Sequence, residues 1–551
     1  MSSPASISET VTTIETASMQ PDSSNQVLSA TKNTDVPPCT GSNFDLTLRD
    51  VRASPAMMVS RFLYETRAEE VPSFKSNSAR PPSLLVEKTG KTESGLLSFS
   101  PFGWKCQECS SFVIISDENE LIWQSALGTF SSFNPQTLYG NQVLIYWTGT
   151  ILPRPWGMGI GQIEILDSTY NNIYTVSISG KEQNLVPAAG LDASKLLSFI
   201  DIHEGAITPE NTILVTAYNT TEYDLKEFGG PADGWMHDCV LYELDIKTNR
   251  VLHRWSALEH IDAYAVPYGD LKYPLGDMGR NKTHPYDFTH INSVDKFRDG
   301  SYLISSRHTC AVYRVAADGT ILWVLQGQGG KSSFVHGPGV SFCFQHDARI
   351  YRDSGTIITI SLFNNDNDFG TPPRVSTALF ITLDTVQMTA VVERELTEPT
   401  ESLFSPAMGN VQSLPHGNTL VGYGFLPYLK EYDAAGNVVM RVQWGYINAA
   451  SAYRASRTKW IGKPTTPPAV YACYDGRNTQ VYMSWNGSTE HKSWSVMAGD
   501  EPWRMAKRKR VPSSGFETMC EVTGGLRYVQ VEPEGDNVSA VNSSIVKVVN
   551  C

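Results

Sequence analysis

The chain has 551 residues, of which 41% are hydrophobic and 10% aromatic, values typical of a globular protein with several domains or one large repeat fold. The formal net charge of -13 argues against a nucleic-acid partner, because phosphate binding requires a basic face. No apolar run approaches the roughly 18 residues of a membrane span. We therefore expect neither a nucleic-acid nor a membrane partner, and composition leaves the oligomeric state open.

The first 43 residues are rich in Ser, Thr and Ala and contain no apolar segment. This composition predicts a disordered tail over residues 1–43, and it lacks the apolar core of a secretory signal, which favours the cytoplasm. Five Asn-x-Ser/Thr sequons begin at Asn219, Asn281, Asn486, Asn537 and Asn542. They fit a secretory route with glycosylation, so the sequence leaves both compartments open.

One pattern recurs six times along the chain: a strand-like run, an Asp-containing turn, and a second strand-like run. The copies begin at Ile114, Ile165, Glu243, Arg314, Ile381 and Glu431. Asp, Asn and Gly at the turn favour tight hairpins, and the flanking Val, Ile, Leu, Tyr and Trp nearly alternate with polar residues. A second hairpin precedes most copies, so each repeat contains about four strands.

Repeated four-stranded units are typical of β-propellers, and six copies predict an all-β protein with a six-bladed propeller. An array of β-sandwiches is the alternative. We expect the propeller over residues 44–465, with insertions at Lys181–Leu197 and Glu259–Phe288. Residues 466–551 are expected to be a small C-terminal β module that either packs on the propeller or closes it.

The chain contains nine cysteines at scattered positions. Cys106 and Cys109 form a CxxC pair, but no second pair stands at the spacing of a zinc site, so no metal is expected. The basic segment Arg504–Arg510 is expected to be a solvated loop. The segment NNDNDFG at Asn364 lacks the closing Glu of a calcium loop and is expected to be a polar insertion.

Histidine is scarce, 11 in 551 residues, yet several histidines stand at the edges of predicted strands. They are His203, His290, His308 and His346. The first strands of propeller blades line a central channel, so these side chains are expected to converge there, whereas a structural role for each would be backbone bonding to a neighbouring blade. Arg307 and Arg349 lie beside them, and imidazole with guanidinium suits an anion or a phenol.

Several ordered segments resemble the arylsulfotransferase family, most closely its eukaryotic, fungal branch. They are HINSVD (from His290), SSRHTCAVYRV (from Ser305), QHDAR (from Gln345), GNVQSLPHGN (from Gly409), DIHEGAITPENTILVTAYN (from Asp201) and YMSWNGSTEHKSW (from Tyr482). The resemblance spans roughly residues 95–500. It implies a six-bladed propeller and sulfuryl transfer from an aryl sulfate to a phenolic small molecule, with no nucleotide donor and no cofactor.

The resemblance also implies roles for individual residues. His290, His346 and His308 are the candidate nucleophile and acid/base groups, because neutral imidazole is a competent nucleophile. The expected ligands of the substrate anion are Arg349, Arg307, His203, Asn292 and Asn410. Bacterial members carry their covalent histidine late in the chain, where this sequence has only His416, in a predicted turn, and His491, in the C-terminal module.

Two other functions are consistent with the sequence. The first is a propeller that serves as a cyclase or hetero-Diels–Alderase of fungal secondary metabolism. It would need an aromatic pocket, for which the candidates are Trp147, Trp156, Trp235, Tyr423, Phe425 and Tyr428. The second is a non-catalytic propeller that binds a small molecule.

Overall fold

The protein is described by a computed structural model. The structure describes residues 72–103, 111–128, 130–188, 190–260, 273–366, 375–398, 401, 403–447, 449–538 and 541–551. The predicted tail over residues 1–43 and the CxxC pair lie outside these residues. In the described part we find no helix whose length and apolar character would let it cross a membrane.

Strands dominate the described residues. The first twelve are β1 (Leu85–Lys88), β2 (Leu96–Phe102), β3 (Val113–Ile115), β4 (Leu121–Gln124), β5 (Phe130–Leu138), β6 (Asn141–Ile151), β7 (Gly159–Leu166), β8 (Asn172–Val176), β9 (Ile200–Ile207), β10 (Thr212–Tyr223), β11 (Gly234–Asp245) and β12 (Val251–Ser256). A four-residue helix, α1 (Ala257–His260), follows, and short 3-10 turns lie at Ala193–Lys195 and Lys226–Phe228.

The next strands are β13 (Ile291–Lys296), β14 (Tyr302–Ser306), β15 (Ala311–Val315), β16 (Ile321–Gln326), β17 (Val335–His336), β18 (His346–Asp353), β19 (Ile357–Asn364), β20 (Thr377–Asp384), β21 (Thr389–Leu396), β22 (Asn410–Ser413), β23 (Thr419–Gly422), β24 (Tyr428–Tyr432), β25 (Val438–Gln443) and β26 (Ser451–Thr458). The last are β27 (Ala469–Tyr474), β28 (Asn478–Ser484), β29 (Ser493–Glu501), β30 (Arg504–Pro512), β31 (Glu517–Thr523), β32 (Tyr528–Glu534), β33 (Val546–Lys547) and β34 (Val549–Asn550).

These strands form antiparallel four-stranded meanders. Meanders 1 to 5 are β5–β8, β9–β12, β13–β16, β18–β21 and β22–β25, and meander 6 joins β26 to β2, β3 and β4. Within meanders 1 to 5 the strand order follows the chain, so successive strands are linked by hairpins and loops. In meander 6 the late strand β26 pairs with the early strand β2. The outer edges of meanders 4 and 5 are extended by β17 and β1.

The meanders form a closed ring. The first strands β5, β9, β13, β18, β22 and β26 each contact the next, and β26 contacts β5. A separate apolar cluster fills each interface between successive meanders, including the interface between meanders 6 and 1. This radial packing of meanders defines a β-propeller, and the predicted all-β propeller class is confirmed.

The six hairpins predicted from the repeat are confirmed. Each is the turn between the third and fourth strands of a meander, paired in antiparallel register. At five of these turns an Asp side chain accepts hydrogen bonds from the backbone, as in the bonds from Ala435 and Asn437 to Asp433. At the turn between β3 and β4, the hydroxyl of Ser116 accepts them instead. The hairpins are thus encoded locally, which is why the sequence predicts them.

The C-terminal strands form two sheets that share one apolar core. One sheet has the order β31-β28-β27-β34 and the other β30-β29-β32-β33. Trp485 and Trp494 are buried in this module. The module contacts meander 1 through Tyr170, whose hydroxyl donates to the carbonyl of Gly487 at 2.8 Å.

The basic segment Arg504–Arg510 is a strand, β30, and the prediction of a loop was wrong. Its side chains are mostly exposed, and Lys507 and Arg510 pair with Glu534 on β32. Cross-strand charge pairs of this kind permit a highly charged strand at the solvent face of a sheet. The structure also contains two disulfides, Cys310–Cys343 and Cys473–Cys551.

Candidate active site

The predicted histidines meet at one end of the central channel. His203 lies in β9, His290 directly precedes β13, and the ring centroids of this pair are 4.8 Å apart. His308, in the loop between β14 and β15, lies 4.5 Å from His290 by the same measure. His346 is the first residue of β18. The ring of Tyr453, on β26, lies between His346 and His203, with centroid distances of 6.4 Å to His346 and 5.8 Å to His203. The four side chains are all buried.

His290 forms a dyad with Asp287. Its Nδ1 donates to Oδ2 of Asp287 at 2.5 Å, so the Nε2 atom carries the lone pair. Within the described residues this Nε2 atom has no hydrogen-bond partner. Burial, reinforced by His203 and Arg307, holds the pKa of His290 well below its ordinary value, so the imidazole is neutral and nucleophilic.

His203 forms a second dyad of the same kind. Its Nδ1 donates to Oδ2 of Asp201 at 2.5 Å, and Asp201 also accepts from the backbone N–H groups of His203 and Gly159. Again Nε2 bears the lone pair and has no partner in the described part of the chain. Two carboxylate-held imidazoles therefore lie side by side, edge to face, with an interplanar angle of 77°.

His308 is not held by a carboxylate dyad, because its imidazole bonds the guanidinium of Arg307. Nδ1 of His308 donates to the backbone carbonyl of Asp287 at 2.6 Å, and Nε2 accepts from Nη1 of Arg307 at 2.6 Å. The ring of Tyr273 stacks on His308 with centroids 3.6 Å apart. The two nitrogen atoms of His308 are thus occupied, and the bond from His308 helps to fix Arg307.

Arg307 is a buried cation beside the dyad. Its guanidinium lies over the ring of Phe344, 4.4 Å from the centroid, and burial lowers its pKa to about 10, so it stays charged at neutral pH. Its Nε atom has no partner among the described residues, nor have Oδ1 of Asp287 and Oγ1 of Thr289. Buried polar atoms normally have partners, so these atoms indicate a place for a bound ligand or water.

His346 is held by long-range bonds. Its Nδ1 donates to Oδ1 of Asn365 at 2.7 Å, and its Nε2 accepts from the backbone N–H of Met408 at 3.2 Å. Both ring nitrogens therefore have partners. This arrangement favours a positioning role for His346, although the catalytic role expected from the sequence stays a prediction.

The backbone at the site is unusual. Five non-glycine residues there have positive φ: His290 (49°), Cys310 (50°), Phe344 (55°), Asp347 (55°) and Met408 (62°). The left-handed region is unfavourable for residues with a β-carbon, and such conformations cluster at functional sites. The Cys310–Cys343 disulfide joins the loop that carries Arg307 to the segment that carries Phe344.

A layer of ion pairs closes the channel below the histidines. Glu204 accepts from Arg349 at 2.8 Å and from Arg454 at 3.0 Å, and Asp347 pairs with both arginines at 2.8 Å and 3.2 Å. The carboxylates raise the pKa of both arginines, although burial opposes this, and the arginines lower the pKa of Glu204. On the far side lies a cavity of about 260 Å³. These pairings favour a structural role for Arg349, and its predicted role as an anion ligand stays a prediction.

The two predicted asparagines connect meanders. Nδ2 of Asn292 donates to the carbonyl of Gln345 at 2.7 Å, and Asn410 bonds both the N–H and the carbonyl of Ala455, at 2.9 Å and 2.8 Å. Oδ1 of Asn292 has no partner in the described residues. Asn292 thus keeps a free acceptor near the site, whereas both ends of the Asn410 amide are used.

Neither late histidine reaches the site. His416 lies in the turn between β22 and β23, largely exposed, with Nδ1 2.9 Å from Oε2 of Glu93. His491 lies in the C-terminal module, where Ser488 and Ser513 bond its ring nitrogens. The site is therefore built from the histidines of meanders 2, 3 and 4.

Asp287, His290 and His308 also bring three metal-type ligand atoms within 4.8 Å of one another. However, the hydrogen bonds described above make both Nδ1 atoms donors, and a ligand atom must instead offer a lone pair. The adjacent Arg307 cation also disfavours a dication there. The geometry favours an Asp–His dyad over a metal centre, and the expectation that the protein needs no metal stays a prediction.

The sequence reasoning missed the groups that orient the histidines. Asp201 precedes His203 by two residues and Asp287 precedes His290 by three, so a search for carboxylates near each histidine would have identified both. Tyr273, Tyr453 and Arg454 come from distant parts of the chain. No local signal marks them.

A ring of antiparallel meanders with two carboxylate–histidine dyads and a buried arginine at its centre defines a propeller with a candidate catalytic channel. The family profile Arylsulfotransferase (ASST) matches residues 134–445. This match covers more than half of the chain, and the protein belongs to the arylsulfotransferase family. No protein with a curated description matches the sequence significantly.

Solved structures with a related strand arrangement are distant. A protein of unknown function from Bacteroides caccae is 13% identical, with a TM-score of 0.36, and the match covers 66% of this chain and 98% of that one. An inactive virginiamycin B lyase from Staphylococcus aureus with quinupristin is 8% identical, with a TM-score of 0.31 and coverage of 73% and 96%. At these values the likeness carries no information about function.

The ion-pair layer predicts a stability effect. Replacement of Glu204 by Gln leaves Arg349 and Arg454 with one carboxylate fewer in a buried position, which should lower the free energy of unfolding by about 3–5 kcal/mol. Urea unfolding monitored by circular dichroism measures this change. The matched control is Glu210→Gln, because Glu210 is exposed and 3.7 Å from Lys296, and it should cost less than about 1 kcal/mol. Equal costs would contradict the structural role of the layer.

Proposed function

We propose that this protein transfers a sulfuryl group from an aryl sulfate to a phenolic acceptor through His290, without a nucleotide donor. The observation that carries the proposal is the Asp287–His290 dyad, whose Nε2 lone pair is free beside the buried cation of Arg307. Membership of the arylsulfotransferase family supports it. The resemblance to the fungal branch supports the narrower proposal that the acceptor is a phenolic secondary metabolite.

In the first half-reaction, Nε2 of His290 attacks the sulfur of the aryl sulfate. The N–S bond forms as the bond from sulfur to the aryl oxygen breaks, and the phenolate leaves. Asp287 stabilises the positive charge that develops on the imidazole, because it accepts the Nδ1–H. Arg307 offsets negative charge on the transferring group, and a charge fixed in a buried site needs no reorganisation.

In the second half-reaction, His203 acts as the base. Its Nε2 takes the proton of the acceptor phenol while the phenolic oxygen attacks the sulfur and the N–S bond breaks. The resulting imidazolium is stabilised by Asp201. The 4.8 Å distance between the ring centroids of His203 and His290 supports this assignment of the base.

The cyclase alternative requires an aromatic pocket. Of the predicted candidates, Trp147, Tyr423 and Tyr428 are buried in the apolar clusters between meanders. Phe425 is buried, and Trp235 is partly buried in β11. Trp156 is 48% exposed, and the next residue, Gly157, lies against His290. Among the six candidates, Trp156 is the one with an exposed aromatic surface, and the four buried rings are not available to a substrate. We therefore favour group transfer over cyclisation.

Exposure to p-nitrophenyl sulfate without an acceptor should label one histidine. We expect a stable mass increase of one sulfuryl group on the peptide that contains His290, measured by mass spectrometry at neutral pH. His290→Ala should abolish the label. Asp287→Asn should slow labelling by about 10²–10⁴-fold, because the imidazole loses the group that fixes its tautomer.

Two variants serve as controls for the labelling. His203→Ala should keep the label on His290 but lose transfer to a phenol, because only the second half-reaction uses this base. His416→Ala, at an exposed late histidine outside the site, should behave as the wild type. A label on His416, or no label on any histidine, would contradict the proposal.

The pH dependence of labelling follows from the lowered pKa of His290. Since protonation removes the Nε2 lone pair and burial lowers the pKa of His290, the acid limb of the labelling rate should lie below pH 6.5. Single-turnover labelling with an acid quench measures this limb without the second half-reaction, and circular dichroism at each pH checks that the chain is folded. An inflection at or above pH 6.5 would contradict a neutral, buried nucleophile.

A further inference from the structure

The loop between β6 and β7, residues 152–158, lies against His290. A β-carbon at Gly157 would be 3.4 Å from Cε1 of His290 and 3.7 Å from Nε2, and Gly157 has a φ of +82°. The loop is closed at its base because the N–H of Leu152 donates to the carbonyl of Met158 at 2.9 Å, and both side chains are buried. We call residues 152–158 the outer loop.

The outer loop connects the second and third strands of meander 1, and the equivalent connections of meanders 3 and 4 contribute residues to the site. In each meander the second and third strands are joined at the same end of the channel. In meander 3 this connection carries Arg307 and His308, and in meander 4 it carries Asn365, which bonds His346. The outer loop is the equivalent connection of meander 1, and it carries Arg154 and Trp156.

Trp156 presents a large aromatic surface to solvent. Its side chain is 48% exposed although the neighbouring residues Leu152 and Met158 are buried. In the described part of the chain, the indole has a single aromatic or cationic neighbour, the guanidinium of Arg154, 5.6 Å from its centroid. Indole rings bind flat aromatic groups well, and an exposed Trp at a site is a typical recognition residue.

Among the described residues, Arg154 is not paired with a buried carboxylate. Its Nη1 lies 3.3 Å from Nδ1 of His284 and 3.8 Å from a carboxylate oxygen of Asp277, whose side chain is 82% exposed. Burial and the charge of Arg154 lower the pKa of His284, so His284 offers a neutral nitrogen. In contrast to Arg349 and Arg454, whose charges are matched by buried carboxylates, Arg154 retains charge for an anionic ligand.

We propose that Arg154 and Trp156 form the outer part of the substrate site and select an aromatic ring that bears an anionic group. Trp156 stacks on the ring, Arg154 binds the anion, and the ligand is thereby directed toward His290, beside Gly157. Arg154 and Trp156 would thus be the recognition residues of the proposed transferase, and the reaction that follows binding rests on the proposed function. The binding step is testable by itself.

Calorimetric titration of the full chain tests the binding step. The probe is p-toluenesulfonate, which has an aromatic ring and an anion but no transferable sulfuryl group, and the comparison ligand is cyclohexanesulfonate. Trp156→Ala should weaken p-toluenesulfonate binding about tenfold and cyclohexanesulfonate binding less than about twofold, because only the former stacks. Arg154→Gln should weaken the binding of both ligands about tenfold, because both carry the anion. Trp156→Phe should recover most of the affinity for p-toluenesulfonate.

The C-terminal module provides matched controls, because Trp503 and Arg504 are an adjacent exposed Trp and Arg outside the propeller. Trp503→Ala and Arg504→Gln should bind both ligands as the wild type does. The inference is overturned if the wild type does not bind p-toluenesulfonate, or if Trp156→Ala and Arg154→Gln bind it with wild-type affinity. If the outer-loop variants lose binding while the wild type transfers no sulfuryl group, the recognition site stands and the proposed reaction fails.

Discussion

The hydrogen bond between Nδ1 of His290 and the Asp287 carboxylate determines what this site is able to do. It fixes the tautomer, so that the Nε2 lone pair faces the channel, and it supplies a charge that stabilises the imidazole if it becomes cationic. Burial of the dyad removes water from the proposed nucleophile and favours the neutral form of His290. The second dyad, Asp201–His203, repeats the arrangement from the preceding meander, and the two rings meet because the propeller brings the first strands together.

The propeller explains why a site of this kind needs a large chain. Each meander contributes one strand to the centre, so residues separated by tens to hundreds of positions become neighbours only after the ring closes. Below the dyads, the buried arginines are neutralised by Glu204 and Asp347. Among the described residues Arg307 forms no salt bridge, and the carboxylate nearest to Arg154 is that of the exposed Asp277, at 3.8 Å. In the described part of the channel, these two cations lie on the side of the histidines, where the proposed anionic ligand would bind.

Much of the fold follows from local sequence signals. The six hairpins were predictable because Asp, Asn and Gly at a turn act on the backbone within a few residues, and His203, His290, His308 and His346 were predictable as a cluster because they stand at strand edges. The roles within the cluster were not, because they depend on distant partners. His346 has both nitrogens bonded by residues from other segments, and Arg349 pairs with Glu204 about 145 positions earlier. No periodicity in the sequence reports such pairings.

The most direct test of the account is a crystal structure of the protein exposed to an aryl sulfate in the absence of an acceptor. We predict a sulfuryl group bonded to Nε2 of His290, with its oxygens against the guanidinium of Arg307 and the Asp287 bond intact. A sulfuryl group on any other residue, or an unreacted aryl sulfate bound away from His290, would contradict the account.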